Sequence, residues 1–134
     1  MQTPRNHRIL YIEDHEDTRE LVTLLLAQQK YEVITGATIA TGIALARAED
    51  FDLYLLDSWL PDGSGLDLCR RIRQFDQTTP ILFYSAAAYA SDYDMALKSG
   101  AQAYLVKPSQ PAELCDLVTQ LIERSHQTSS FATA

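Results

Sequence analysis

The sequence predicts a doubly wound α/β fold, with five parallel strands and five helices in one domain. Three observations carry this. Short apolar runs alternate with longer segments whose apolar residues recur at helical spacing. Four of the runs deliver a polar group at their C-terminal end: Ile9 to Ile12 leads into Glu13-Asp14, Leu53 to Leu56 into Asp57, Ile81 to Tyr84 into Ser85, and Ala103 to Val106 into Lys107-Pro108. Finally, 134 residues of which 46% are hydrophobic can build one real core.

The elements follow in order. After the first strand, Asp17 to Lys30 reads as a helix, with acids at its positive end and Leu21, Leu24 and Leu25 as its apolar face. Tyr31 to Thr35 is a short strand broken by Gly36. Ile39 to Glu49 is a second helix, presenting Ile43, Ala44 and Ala46. The strand ending in Asp57 is followed by a turn, Ser58 to Gly65, and by a helix from Leu66 to Phe75 with Leu66, Cys69 and Ile72 inward. Pro80 precedes the next strand. Asp92 to Ser99 makes a short helix that Gly100 stops. Ser109 is a candidate N-cap and Pro111 suits the first turn of the last helix, whose face is Leu114, Leu117, Val118, Leu121 and Ile122. The expected organisation is a polar segment over 1–8, a domain over 9–124 and a polar, flexible tail over 125–134.

A net charge of -7 and a pI of about 4.8 leave no basic stripe to neutralise phosphates, so neither nucleic acid nor an anionic membrane is expected as a partner. No apolar stretch in the sequence spans a bilayer, and the N-terminus has no signal-peptide core. Cys69 and Cys115 form no C-x-x-C pair, and partly buried helix thiols are their expected state. A soluble, cytoplasmic chain is the expectation.

Parallel strands present their C-terminal ends along one edge, where such folds bind ligands. Glu13, Asp14 and Asp57 would then converge. Two carboxylates about 4 Å apart repel by roughly 4 kcal/mol at an effective dielectric of about 20, so a proton or a cation must offset the cluster. With no His or Cys at the cluster, a hard ion that takes oxygen ligands fits: Mg²⁺, or Mn²⁺ in its place. A carboxylate can attack a phosphoryl group and form an acyl phosphate. Lys107 can pair with one phosphoryl oxygen, the Ser85 hydroxyl can donate to another, and a metal can take the third.

In this order and at these strand ends, the residues resemble the receiver domain of two-component response regulators, the CheY-like family. The matching positions run from Ile9 to about Arg124. The acidic pair is Glu13-Asp14, the phosphoacceptor position Asp57, and the loop pattern Leu60-Pro61-Asp62-Gly63-Ser64-Gly65. The switch hydroxyl position is Ser85, the aromatic switch position Tyr104, and the Lys-Pro pair Lys107-Pro108. The resemblance implies a flavodoxin-like, three-layer α/β/α sandwich with strand order 2-1-3-4-5. It implies phosphoryl transfer from a sensor histidine kinase or a phosphotransfer protein, with Mg²⁺ held by Asp14, Asp57 and the backbone carbonyl of Trp59, and by Glu13 through water. It implies a cis bond before Pro108. It also implies a switch in which Ser85 moves toward the phosphate and Tyr104 turns inward, altering the face of the fourth helix, fifth strand and fifth helix that a downstream protein reads. A stand-alone domain acting as a monomer or a phosphorylation-dependent dimer is expected, not an enzyme beyond self-phosphorylation from small donors and autodephosphorylation.

Two positions depart from the family's usual range. Trp59 is large; it either overhangs the phosphoryl site or rests as a surface loop residue. Ala87 offers no polar side chain to orient a water. His15, after the acidic pair, reads as an exposed loop histidine. Two alternatives remain. One is a receiver-like interaction module that never takes phosphate. The other is an aspartyl-phosphate hydrolase, which Trp59 disfavours because such enzymes need an aspartate at that position.

Overall fold

The computed structural model describes residues 6–133. Five strands form one parallel sheet: β1 (Arg8–Ile12), β2 (Glu32–Gly36), β3 (Leu53–Leu56), β4 (Ile81–Ser85) and β5 (Ala103–Val106). Their order is β2-β1-β3-β4-β5, as the resemblance implied. The helices are α1 (Glu16–Gln28), α2 (Ile39–Ala48), α3 (Gly65–Arg73), α4 (Ala90–Ser99) and α5 (Pro111–Thr133). A small antiparallel ribbon pairs Trp59–Leu60 with Gly63–Ser64 between β3 and α3.

Strand alternation sorts the core onto two faces. Leu10, Ile12, Tyr54, Leu56, Ile81 and Phe83 pack with residues of α2, α3 and α4. Ile9, Tyr11, Leu53, Leu55, Leu82 and Tyr84 pack with Val22 and Leu26 of α1 and with Leu114, Val118, Leu121 and Ile122 of α5. Crossovers on both faces are what a parallel sheet requires. Among the described residues, no helix is long and apolar enough to cross a membrane.

Several helix faces differ from the sequence reading. On α1, Val22 and Leu26 are buried while Leu21 and Leu24 are 59% and 57% exposed. Five apolar residues lie within Leu21 to Leu26, so the run supports more than one face, and sheet packing selects the i, i+4 pair. On α2, Gly42 and Ala46 face the core and Ala44 faces solvent, because the small Gly42 lets the helix approach Ile12 and Leu68 closely. Gly36 completes β2 instead of breaking it. Pro111 opens α5, so the residue before the helix is Gln110 and not Ser109; the Ser109 hydroxyl faces Tyr84 Oη at 3.2 Å. Gly100 caps α4 in the left-handed region, at φ 115°, as expected. The last helix continues past Arg124 to Thr133, into the segment read as a flexible tail. Glu123 to Thr133 contains no Gly or Pro, so nothing local stops propagation.

Candidate functional site

Strand register builds the site. Ile12 pairs with Leu56, so Glu13 and Asp57 leave β1 and β3 at the same level. The Asp57 N–H donates to the Ile12 carbonyl at 3.1 Å, fixing that level. Ser85 pairs with Val106, and the Lys107 N–H donates to the Ser85 carbonyl at 2.8 Å. Carboxylate oxygens of Glu13, Asp14 and Asp57 lie within 4.8 Å of one another. Glu13 and Asp57 are buried, and Asp14 is exposed.

Lys107 reaches into this cluster. Its ammonium pairs with Glu13 Oε1 and lies 3.7 Å from Asp57 Oδ1. The electrostatics are uneven. Burial, then the Glu13 carboxyl beside it, pushes the Asp57 pKa up to about 7, against the pull of Lys107. For Glu13, burial acts upward, but the hydrogen bonds with Asp57 and Lys107 outweigh it and hold its pKa below the usual range. One cation thus serves two buried acids, and the pair retains a proton near neutrality. A divalent ion would displace that proton. The donor set is all oxygen, which fits Mg²⁺ and gives zinc neither nitrogen nor sulfur. Glu13, Asp14 and Asp57 are the side chains that would hold it.

The local backbone is held by side chains of α1 and of the loop after Asp57, of which Arg19 carried no signal in the sequence. Arg19, on α1, donates to the carbonyls of Glu13 at 2.8 Å and Asp14 at 3.4 Å. His15 is exposed as expected, and it is also the N-cap of α1, accepting from the Thr18 N–H at 3.3 Å. Asp62 accepts from the N–H groups of Ile39 and Ala40 at 2.8 and 3.1 Å, tying the loop after Asp57 to the start of α2. Those backbone donors, Ile39 first, lower its pKa. At Gly65 a Cβ would lie 2.0 Å from the Asp57 carbonyl oxygen, so only glycine fits beside the end of β3. The tight loop was visible as a motif; the contact that demands glycine was not.

Ser85 is fully buried. Its Oγ accepts from the Ala87 N–H at 3.2 Å, and the Ala87 carbonyl accepts from the Tyr104 hydroxyl at 2.7 Å. Ala87 therefore links the two switch positions through its backbone, a role that side-chain chemistry could not reveal. The Tyr104 ring stacks on Phe83 at 5.9 Å and meets Tyr93 edge-on at 4.7 Å. Its Oη is also 3.4 Å from Oγ of Ser58, the residue after Asp57. The Lys107–Pro108 bond is cis. The Trp59 side chain is 69% exposed, so its indole is not part of the buried cluster.

Residues 9–119 match the family model of the response regulator receiver domain. The chain belongs to that family. It is 35% identical over 120 residues to the response regulator ArlR of Staphylococcus saprophyticus, covering 90% of this chain and 54% of ArlR. It thus spans about half the length of the curated relatives it matches. A CheY-like receiver from Methanospirillum hungatei superposes with a TM-score of 0.89 at 26% identity, over 92% of this chain and 99% of that one. The receiver domain of a Pseudomonas aeruginosa sensor histidine kinase superposes at 0.82 with 27% identity, over 89% and 99% of the two chains; it holds a magnesium ion in its active-site cleft. Receivers of two-component systems act in signal transduction, and the site here lies on the sheet edge where the fold places its ligands.

Proposed function

We propose that this receiver accepts a phosphoryl group on Asp57 from a phosphohistidine of a sensor kinase or phosphotransfer protein. The carrying observation is the convergence of Glu13, Asp14 and Asp57 within 4.8 Å, with the Lys107 ammonium 3.7 Å from Asp57. An Asp57 carboxylate oxygen attacks phosphorus, the P–N bond breaks, and its electron pair stays on the imidazole. The product is an acyl phosphate. Mg²⁺, when bound, supplies positive charge to the phosphoryl oxygens. Lys107 leaves Glu13 for a phosphoryl oxygen, a move its flexible stem allows. Ser85 frees its hydroxyl from Ala87 to donate to another.

That last exchange weakens the backbone link to Tyr104 and supports a two-state switch read on the α4–β5–α5 face by a downstream protein. On this reading the chain is a phosphoacceptor in the cytoplasm. Incubation with acetyl phosphate or phosphoramidate and Mg²⁺ should add the mass of one phosphoryl group. Asp57→Asn should abolish the gain. No gain with any small donor, or with a panel of phosphorylated kinases, overturns the reading in favour of an inert interaction module.

A further inference from the structure

We propose that His7, Asp52 and His126 form a second metal site, of the borderline class that zinc occupies, at the opposite end of the sheet from Asp57. His7 immediately precedes β1, Asp52 immediately precedes β3, and His126 lies on α5. The first two are brought together by backbone pairing: the Asp52 N–H donates to the Arg8 carbonyl at 2.7 Å. The stretch of α5 beyond Arg124 carries the third.

The geometry has the dimensions of a ligand shell. His7 Nδ1 lies 3.5 Å from Asp52 Oδ2, and His126 Nε2 lies 3.3 Å from Asp52 Oδ1. One ligand atom from each of the three falls within 4.8 Å of the others. A tetrahedral shell with ligands at about 2.0–2.1 Å has edges of about 3.3 Å, which the His126 Nε2–Asp52 Oδ1 separation already matches, and the other edges lie within 4.8 Å. The imidazole rings meet edge-on with centroids 4.8 Å apart. Asp52 is oriented from behind, because its Oδ2 accepts the Arg8 N–H at 2.7 Å, which leaves Oδ1 as the free ligand atom.

The chemistry and access also fit. Two imidazoles and one carboxylate suit zinc, with a fourth position open to water, whereas the oxygen-only cluster around Asp57 suits Mg²⁺. The three side chains line a surface cavity of about 250 Å³, together with Asn6 and Phe51. The imidazoles are about half exposed, so an ion can enter. Each ring nitrogen that faces Asp52 needs a proton or a metal between it and the carboxylate. A single ion satisfies both and ties α5 to the base of β1 and β3.

The test uses the untagged full chain in excess Mg²⁺, which occupies the acidic cluster, with zinc titrated against a chromophoric chelator. One zinc per chain should bind. His7→Gln and His126→Gln should each weaken binding by about tenfold or more, the scale on which metal sites respond to damaged ligation. Asp57→Asn should leave zinc binding unchanged. Zinc should raise the melting temperature of the wild type and not that of His126→Gln. Absence of zinc binding, binding indifferent to both histidine substitutions, or binding lost in Asp57→Asn would each overturn the proposal.

Discussion

The strand β3 is bracketed by two aspartates with opposite fates. Asp52, at its start, is only partly buried and well supplied: the Arg8 N–H and two imidazoles face it. Asp57, at its end, is buried against Glu13, and the two share Lys107. Around Asp52 the neighbouring charges are also matched, since the Arg8 guanidinium pairs with Glu32 at 3.1 Å and with Glu49 at 2.5 Å. The same residue type at the two ends of one strand is thus well supplied with donors in one place and poorly supplied in the other. Under-supplied burial is the property that the proposed phosphoryl acceptance at Asp57 draws on.

The most complete break of this contrast is Asp57→Asn. Phosphoryl uptake from acetyl phosphate should disappear, as measured by intact-protein mass. Asp52→Asn in parallel should retain it. Uptake surviving in Asp57→Asn would place the acceptor elsewhere.

Gly65→Ala should follow in size. The new Cβ would sit 2.0 Å from the Asp57 carbonyl oxygen, a backbone atom that cannot step aside cheaply. Overpacking of this kind costs about 3 kcal/mol, seen as a lower denaturation midpoint, and the displaced Asp57 should slow phosphoryl uptake. A variant of wild-type stability and rate would show that the acceptor loop is not as tightly seated as its contacts imply.

How much of this was legible in the sequence divides along the same line. The strand ends, the acid cluster, Ser85 and Lys107 were readable because each rests on a local apolar run closed by a polar residue, whereas the strand order and the place of Tyr104 came from the family resemblance. The supports were not readable. Arg19, Asp62 and the Ala87 carbonyl act on partners 5 to 23 positions away, through bonds that exist only once the chain has folded. The face of α1 was misread because Leu21, Val22, Leu24, Leu25 and Leu26 permit more than one burial choice, and only the sheet decides among them. The helix α5 runs on to Thr133 through the polar segment, whose residues lack any helix breaker.

The pH profile sharpens the contrast by a smaller amount. In chelating buffer, Asp57 titrates near 7 in the folded chain, against an ordinary value of 3.8. Between those values the native state holds a proton that the unfolded state has released, so stability falls as pH rises from about 4 to 7. Glu13 acts in a different window: its pKa is lowered from 4.5, so its contribution is complete above that value and is lost on acidification below it. Thermal melts of the wild type should therefore decline across pH 5 to about 7, and Asp57→Asn should flatten that decline. An identical slope in the variant would mean that Asp57 is not the group that holds the proton.

Asp52→Asn should have the smallest effect, and its direction is the informative part. The amide keeps an oxygen for the Arg8 N–H but loses the charge that both imidazoles face. Exposed charge pairs contribute little and are screened by salt, so the loss should be about 1 kcal/mol or less and should shrink further in high salt. Removing a carboxylate at one end of β3 should thus cost stability without touching chemistry. Removing the one at the other end should cost chemistry and, above neutral pH, add stability. Denaturant midpoints of the two variants at pH 8 would decide it, since midpoints shifting in the same direction would mean that the two aspartates differ in position but not in electrostatic role.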